Sequence, residues 1–396
     1  MSLAGTNLEN AHLHNRRVVM EAIRIHNRLS RADITRLTGL TPQTISNITG
    51  ELVSMGFLIP LPPVRSGRGQ PAIPFILNPE GAYSIGMQLN HHEMNGVAAD
   101  LSGAIVARST LAVNRLSPAE AVSPMREMIE SLQRSAKFDW QRVVGVGVAI
   151  PGPFGVDGLS AVGPTTLPGW LDLSVGQQLS AAIGLPVTVT NDASAAAIGE
   201  RLYGAGRTLQ NFVYLYVGEG LGAGLFLNGQ MFEGAANNAG EVGHMVVERD
   251  GRACYCGNHG CLERYVSLLA AYEALGFRDP AQATPADLLN TSKKDAKKLE
   301  SWLDEAAVYL RQAVNILECM LDVETVIVGG LLPRPILERL MLRLEPLYIS
   351  LGTRRNRQIA RLQLGMLGSD TAALGAAALP IFNELNPSLK ALLKSR

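Results

Sequence analysis

Apolar positions along the first 60 residues recur with helical spacing. From His14 to His26 they fall at Val18, Val19, Ala22, Ile23 and Ile25, and from Thr41 to Gly56 at Ile45, Ile48, Leu52 and Met55, so each segment turns one face inward. Between them Ser30 opens a shorter helix as its cap and Gly39 ends it, after which Thr41-Pro42 restarts the chain with a cap and a proline at the first helical position. Two helices joined by a tight glycine turn predict a helix-turn-helix, followed by a short hairpin.

After Asn78-Pro79 the pattern changes to apolar runs broken by glycine: Tyr83 to Met87, Gly96 to Ala99, Val143 to Ile150, Val187 to Thr190 and Phe212 to Val217. Such runs read as strands, and helical stretches alternate with them, which predicts an α/β body of two lobes with a ligand cleft between. The expected division is a winged helix-turn-helix over residues 1–80 and a body over 81–396. One lobe would span about 81–190 plus the C-terminal helix, the other about 191–375.

Charge singles out the amino-terminal segment. The chain is neutral overall, yet residues 1–70 hold eight arginines (16, 17, 24, 28, 31, 36, 65 and 68) against Glu9, Glu21, Asp33 and Glu51. A basic module on a mildly acidic body suggests that a polyanion meets this end, although a solvated surface also carries such an excess. On the second helix Gln43, Thr44 and Asn47 face outward, short polar side chains suited to base edges, while phosphate attraction falls to the flanking arginines. Arg65-Ser-Gly-Arg68-Gly-Gln-Pro71 reads as a wing whose arginines reach DNA, or as a plain linker. The polar amino terminus and the lack of any apolar run near the ~18 residues of a membrane span make the cytoplasm the expected location.

Chemistry concentrates between residues 241 and 263. His244, Cys254, Cys256 and Cys261 supply the thiolates and imidazole that a tetrahedral zinc prefers, with no position left for a reactive water, so a structural zinc is expected. Disulfides, disfavoured in a reducing compartment, or a chance cluster are the other readings of such thiols. His259 lies off this pattern and is assigned to solvent; Cys319, in an apolar helical run, is assigned to core. Asn191-Asp192 follows a strand, where a polar pair can hold and deprotonate a hydroxyl or simply make a turn. Gly218-Glu-Gly220-Leu-Gly222-Ala-Gly224 reads as a loop whose backbone approaches a phosphate or ligand.

Taken together, Pro151-Gly-Pro153, Leu167-Pro-Gly-Trp170, Asn191-Asp192-Ala193, Gly240-Glu-Val-Gly-His244, Cys254-Tyr-Cys-Gly-Asn-His-Gly-Cys-Leu-Glu263 and Val328-Gly-Gly330 resemble the ROK family of repressors and sugar kinases, from about Tyr83 almost to the carboxy terminus. The helix-turn-helix is similar to that of the family's transcriptional regulators. The resemblance implies an actin-like, ribonuclease-H-like body with a hexose or amino sugar between its lobes, bound by Asn191, Asp192, Glu241, His244 and Glu263, with Trp170 as an apolar contact nearby. His244 would hold zinc through one ring nitrogen and face a sugar hydroxyl with the other.

One motif departs from the family's kinases, which carry Asp-x-Gly-Gly-Thr-Lys a fixed distance before Asp-Leu-x-Gly. Registered on Asp100-Leu-Ser-Gly103, this chain has Gln88 for the aspartate, Asn90 and His91 for the glycines, His92 for the threonine and Glu93 for the lysine. Side chains then fill the space of the phosphate, and a carboxylate replaces a cation beside a polyanion. Glu219 likewise replaces a small hydroxyl residue in the second loop, and Asp192 is left as a vestigial base. The resemblance therefore implies a regulator rather than an enzyme: the expected partners are operator DNA, a sugar or sugar phosphate, and further copies of the chain in a homodimer or homotetramer. An ATP-dependent sugar kinase with a fused DNA-binding head is the alternative.

Overall fold

The computed structural model describes residues 8–65, 71–135, 138–152, 166–167, 169–170, 174–351 and 357–385. Helices Leu8–His26, Arg31–Thr38 and Pro42–Ser54 pack on a three-stranded antiparallel sheet whose central strand, Pro74–Leu77, lies between Leu29–Ser30 and Leu58–Pro60. The first helix starts earlier than its apolar repeat. Ser30 Oγ accepts the Asp33 N–H while the Asp33 carboxylate accepts that of Ser30, a reciprocal cap, and Gly39 closes the same helix in the left-handed conformation at φ 69°. Thr41 caps the third helix ahead of Pro42. A bridge between Val64 and Ala72 extends the hairpin past the sheet, as a wing does.

Val19, Ile23, Ile34, Ile45, Ile48, Leu52 and Phe75 fill the core of this head. Leu101 and Ile381, both from the body, complete it. The head is thus docked on the body through shared apolar contacts.

Two five-stranded sheets build the body, and they repeat one topology. In the first, Ile105–Ala112, Glu93–Asp100 and Tyr83–Leu89 form an antiparallel meander, with Val143–Ile150 and then Val187–Asn191 added in parallel. In the second, Gln230–Met231, Leu221–Leu227 and Phe212–Val217 form the meander, and Thr325–Gly330 and Leu362–Leu364 follow in parallel. The edge strand Ile105–Ala112 escaped the sequence reading because it is only half buried and carries no continuous apolar run.

Two helices join the sheets. Asp192–Tyr203, referred to below as the pocket helix, lies on the second sheet, and the C-terminal helix Thr371–Leu385 lies across Tyr83–Leu89 and Val143–Ile150 of the first. Small residues allow the approach. A Cβ on Gly86 would lie 1.9 Å from the Ala373 carbonyl oxygen and one on Gly147 1.8 Å from that of Ala376. This corrects the reading of residues 218–224 as one ligand-approaching loop: only the turn at 218–220 is a loop, and Gly222 and Gly224 belong to strand Leu221–Leu227. There they receive Ala193 and Ala197 of the pocket helix, the latter within 2.3 Å of where a Gly224 Cβ would sit. Cys319, expected in the core, is exposed near the end of helix Ala296–Leu321, because it falls on that helix's solvent side.

Where the two helices cross, a Cβ on Gly375 would lie 1.7 Å from the Ala195 carbonyl oxygen. Gly375→Ala is therefore expected to lower unfolding free energy by roughly 2–3 kcal/mol in urea titrations, an overpacking cost. Gly50→Ala, on an open helical surface, is expected to be neutral or stabilising by up to about 1 kcal/mol.

Candidate functional site

The strand Val187–Asn191 delivers its last residue to the cleft, where Asn191 caps the pocket helix: its Oδ1 accepts from Ala193 N at 2.8 Å and Ser194 N at 3.3 Å. That fixes the amide, whose Nδ2 is turned toward the backbone of Gly152. Asp192 follows in the first turn, its Oδ1 accepting from Ala193 N at 2.8 Å. From the second lobe come Glu241, on the turn before the short helix Val242–His244, and Glu263, which is 6% exposed and accepts from Leu221 N at 3.0 Å. Asn191, Asp192, Glu241 and Glu263 line one cleft together with Asn90, Tyr216, Glu219 and Tyr255. The last four were not assigned to a ligand from sequence. Asn90 and Glu219 were considered only as losses from the phosphate loops, and Tyr255 was hidden as the spacer between two cysteines.

Burial dominates the electrostatics. It raises the Asp192, Glu241 and Glu263 carboxyls to about 7, and Glu241 adds repulsion to both Asp192 and Glu263. Protons are therefore available in the cleft near neutrality, on groups that can donate to or accept from a polyol.

Beside the cleft, the Cys254–Cys261 segment folds as a small knuckle bridged at Ala253 and His259. One donor atom from each of His244, Cys254, Cys256 and Cys261 lies within 4.8 Å of all the others. Cys256 and Cys261 Sγ are 3.6 Å apart, and Cys254 Sγ is 3.7 Å from His244 Nδ1. These separations are too long for a disulfide of about 2.05 Å and match the edges of a tetrahedron with zinc–sulfur bonds of about 2.3 Å. The donor set fits zinc. Bound there, the metal would cross-link the knuckle to the turn that carries Glu241. His259 is exposed, away from the four.

His244 stands one residue back from the cleft. Its Nε2 lies 3.2 Å from Tyr255 Oη, and it is Tyr255 that lines the cavity. Trp170, expected as an apolar contact to a ligand, is 2% exposed inside the first lobe's core, and its indole N–H donates to the Leu116 carbonyl at 2.8 Å. Its large ring fills the first lobe instead.

Residues Gln88, His91 and His92 tie the lobes together. Gln88 Nε2 donates to Tyr216 Oη at 2.5 Å, His92 Nε2 meets the Ala281 carbonyl at 2.8 Å, and His91 Nδ1 touches the Glu219 carboxylate while its Nε2 meets the Thr166 carbonyl at 3.0 Å. Burial lowers His91 to about 4, so the ring is neutral at pH 7. Asn90 Oδ1 accepts the N–H groups of His92 and Glu93 at 2.9 and 2.8 Å.

On the head, Gln43 and Asn47 are exposed on helix Pro42–Ser54 and bonded to each other at 2.9 Å. Thr44 is half-buried, its hydroxyl 2.8 Å from Thr41 Oγ1. Arg65 is exposed beside the Val64–Ala72 bridge; Arg68 lies outside the described residues. Arg24, counted among the phosphate-attracting arginines, is buried at the junction with the body, where Glu21 holds it.

Residues 84–381 match the ROK family. The xylose repressor of Bacillus subtilis (strain 168) is 26% identical over 67% of this chain and 68% of its own length. Among solved structures, a ROK family transcriptional regulator described as a homolog of the Escherichia coli Mlc protein superposes with a TM-score of 0.73 at 23% identity, covering 96% of this chain and 98% of its own. A ROK family glucokinase from Streptomyces griseus, solved with glucose and AMPPNP, superposes with a TM-score of 0.59 at 23% identity, over 75% of this chain and 99% of its own. These likenesses establish the two-lobed, actin-like fold.

Cys256→Ser is expected to cut bound zinc well below the roughly one ion per chain that a closed four-ligand site holds, measured by elemental analysis, and to lower the melting temperature. A second expectation concerns pH. An acid whose pKa is raised on folding binds protons more tightly when folded, so stability falls as pH climbs from about 4 to about 7. Asp192→Asn removes one such group, so its stability relative to the parent should rise across that window. Given about 1.4 kcal/mol per pKa unit and partial solvent screening, the gain should be on the order of 1–2 kcal/mol by pH 8 in parallel urea titrations.

Proposed function

The chain belongs to the ROK family, and on that premise we propose that it is a sugar-responsive transcriptional repressor. Its head binds operator DNA, and a hexose or amino sugar in the interlobe cleft changes operator affinity. Asn191, Asp192, Glu241 and Glu263 hold the sugar hydroxyls, with Tyr255 relaying the position of His244. A structural zinc on His244, Cys254, Cys256 and Cys261 keeps that wall of the cleft in place. Gln43 and Asn47 read bases, while Arg65 and Arg68 reach the backbone or minor groove. A single head buries little DNA surface, so two chains in a dimer, or four in a tetramer, present paired heads to inverted half-sites.

The observation that carries this reading is the path of one helix. The pocket helix begins with Asn191 and Asp192 in the cleft and ends at the head. Arg201 in its last turn donates to Glu21 Oε1 at 2.9 Å, and Arg24 of the head donates both to Glu21 and to the Leu202 carbonyl. Arg207 just beyond donates to the Arg24 carbonyl at 3.0 Å. Burial alone would raise Glu21, but Arg24 and Arg201 outweigh it and hold the carboxylate below its ordinary range. A ligand that shifts the first turn of a helix some 18 Å long moves a buried ion cluster at its other end. Only differential affinity drives the switch: tenfold preference for the DNA-incompetent arrangement weakens operator binding by about 1.4 kcal/mol at saturation.

Phosphoryl transfer is the second reading, favoured by one observation: Asp192, at about 7, is poised as a base. Against it stand Glu93 in place of the lysine and the side chains of Asn90 and His91 in place of glycines. Sugar-dependent ADP release by pure protein, lost in Asp192→Asn, would establish it.

Fluorescence anisotropy on operator DNA tests the repressor. A cognate sugar from a panel of glucose, N-acetylglucosamine, mannose, xylose and allose is expected to weaken binding at least tenfold. Arg201→Met is expected to keep sugar affinity by calorimetry while reducing that response below about threefold, because the buried junction is broken. Operator affinity unmoved by every sugar would defeat the reading.

A further inference from the structure

One glycine of the head has no use within the chain. Among the described residues, every other glycine either sits in the left-handed region, as Gly39, Gly184, Gly257 and Gly368 do, or has a neighbour within 4 Å of where its Cβ would be. Gly50 has neither. It lies inside helix Pro42–Ser54, where glycine is a worse helix former than alanine because its backbone loses more freedom on folding. The fold therefore bears a local cost at this position, and no packing contact or turn inside the molecule accounts for it.

The helical period fixes what Gly50 faces. Ile45, Ile48, Thr49 and Leu52 make the buried stripe of the helix. Gln43, Ser46, Asn47, Gly50 and Ser54 are exposed and fall on the opposite side, within an arc of about 100°. Gly50 stands near the middle of that arc, two turns beyond Gln43 and about 10 Å along the axis. The only charged residue of the helix, Glu51, is held at the edge of this face by His12 Nε2 at 2.7 Å and Arg16 at 3.3 Å. What remains is a polar, uncharged face with no apolar anchor. A helix that docks in a protein groove presents apolar anchors at this spacing, whereas amides and hydroxyls suit the edges of bases.

We propose that Gly50 is the point of closest approach between this helix and the major groove of a DNA duplex, a positioning residue whose missing side chain lets Gln43 and Asn47 reach base edges. The inference rests on the DNA-binding reading above. A major groove about 12 Å wide and 8.5 Å deep admits a helix of about 10–12 Å diameter with little clearance. A methyl group on the side turned toward the groove floor lifts the helix, and the hydrogen bonds made by its neighbours lengthen and weaken together. Gly50 makes no base contact itself; it sets the depth at which Gln43 and Asn47 work. Sequence-independent attraction, which comes from arginines elsewhere on the head, does not depend on that depth in the same way.

Duplexes selected by the full chain from a randomised library supply the probe, and a shuffled duplex of the same composition reports sequence-independent binding. In fluorescence anisotropy at fixed salt, Gly50→Ala is expected to weaken binding to the selected duplex about tenfold and Gly50→Leu about 100-fold, each losing no more than about threefold on the shuffled duplex. Both variants are expected to keep the urea midpoint of unfolding at or above the parent's, since alanine and leucine favour the helix, which separates lost recognition from lost folding. If Gly50→Ala binds the selected duplex within about threefold of the parent, the positioning role is overturned while DNA binding by the head stands. A loss of affinity that comes with a changed oligomeric state in light scattering assigns Gly50 to a contact between copies of the chain and overturns the role as well. If the parent selects no duplex at all, the DNA-binding reading itself fails and this inference falls with it.

Discussion

Backbone meets backbone where the pocket helix crosses the C-terminal helix, and the rest of the body depends on that contact. Gly375 sits against the Ala195 carbonyl, and Gly199 lies opposite Gly375 and Thr371, with no side chain between to repack. Each helix is pressed onto a different sheet by alanines over strand glycines, so the crossing is where the two lobes are held in register. Close-packed interiors transmit displacement instead of absorbing it. A pair of helices without rotamer freedom at the contact does so more than most.

The head uses both helices. Ile381 of the C-terminal helix enters its apolar core, and Arg201 at the end of the pocket helix enters its buried ion cluster. Glu21 and Arg24 are thereby taken from the DNA-facing inventory and given to the junction. Arg16 pairs with Glu51 and Arg36 with Asp33, which leaves exposed arginines such as Arg28 and Arg65 for phosphate attraction. Under the proposed function, a modest electrostatic footprint suits a head whose DNA affinity a small ligand alters, because less binding energy has to be offset.

Between the lobes, side chains of the segment 88–92 bridge the space. Gln88, His91 and His92 reach across to Tyr216, Glu219 and the Ala281 carbonyl. The same positions that would exclude a nucleotide phosphate tie one lobe to the other. The carboxyls of the cleft carry the desolvation cost seen in their raised pKa values, a cost that hydroxyl groups of the proposed sugar would partly relieve.

Local chemistry was legible in the sequence. Helix caps at Ser30 and Thr41, the apolar strands and the donor set of one histidine and three cysteines depend on neighbours a few residues apart, where spacing alone dictates which groups can meet. The tertiary structure decided what depends on distant partners. It assigned Gly222 and Gly224 to helix packing, Trp170 to the first lobe's core, Tyr255 to the wall of the cleft and Arg24 to the junction with the body. Each of these roles is set by a group tens or hundreds of residues away, and no periodicity within a short window carries that information.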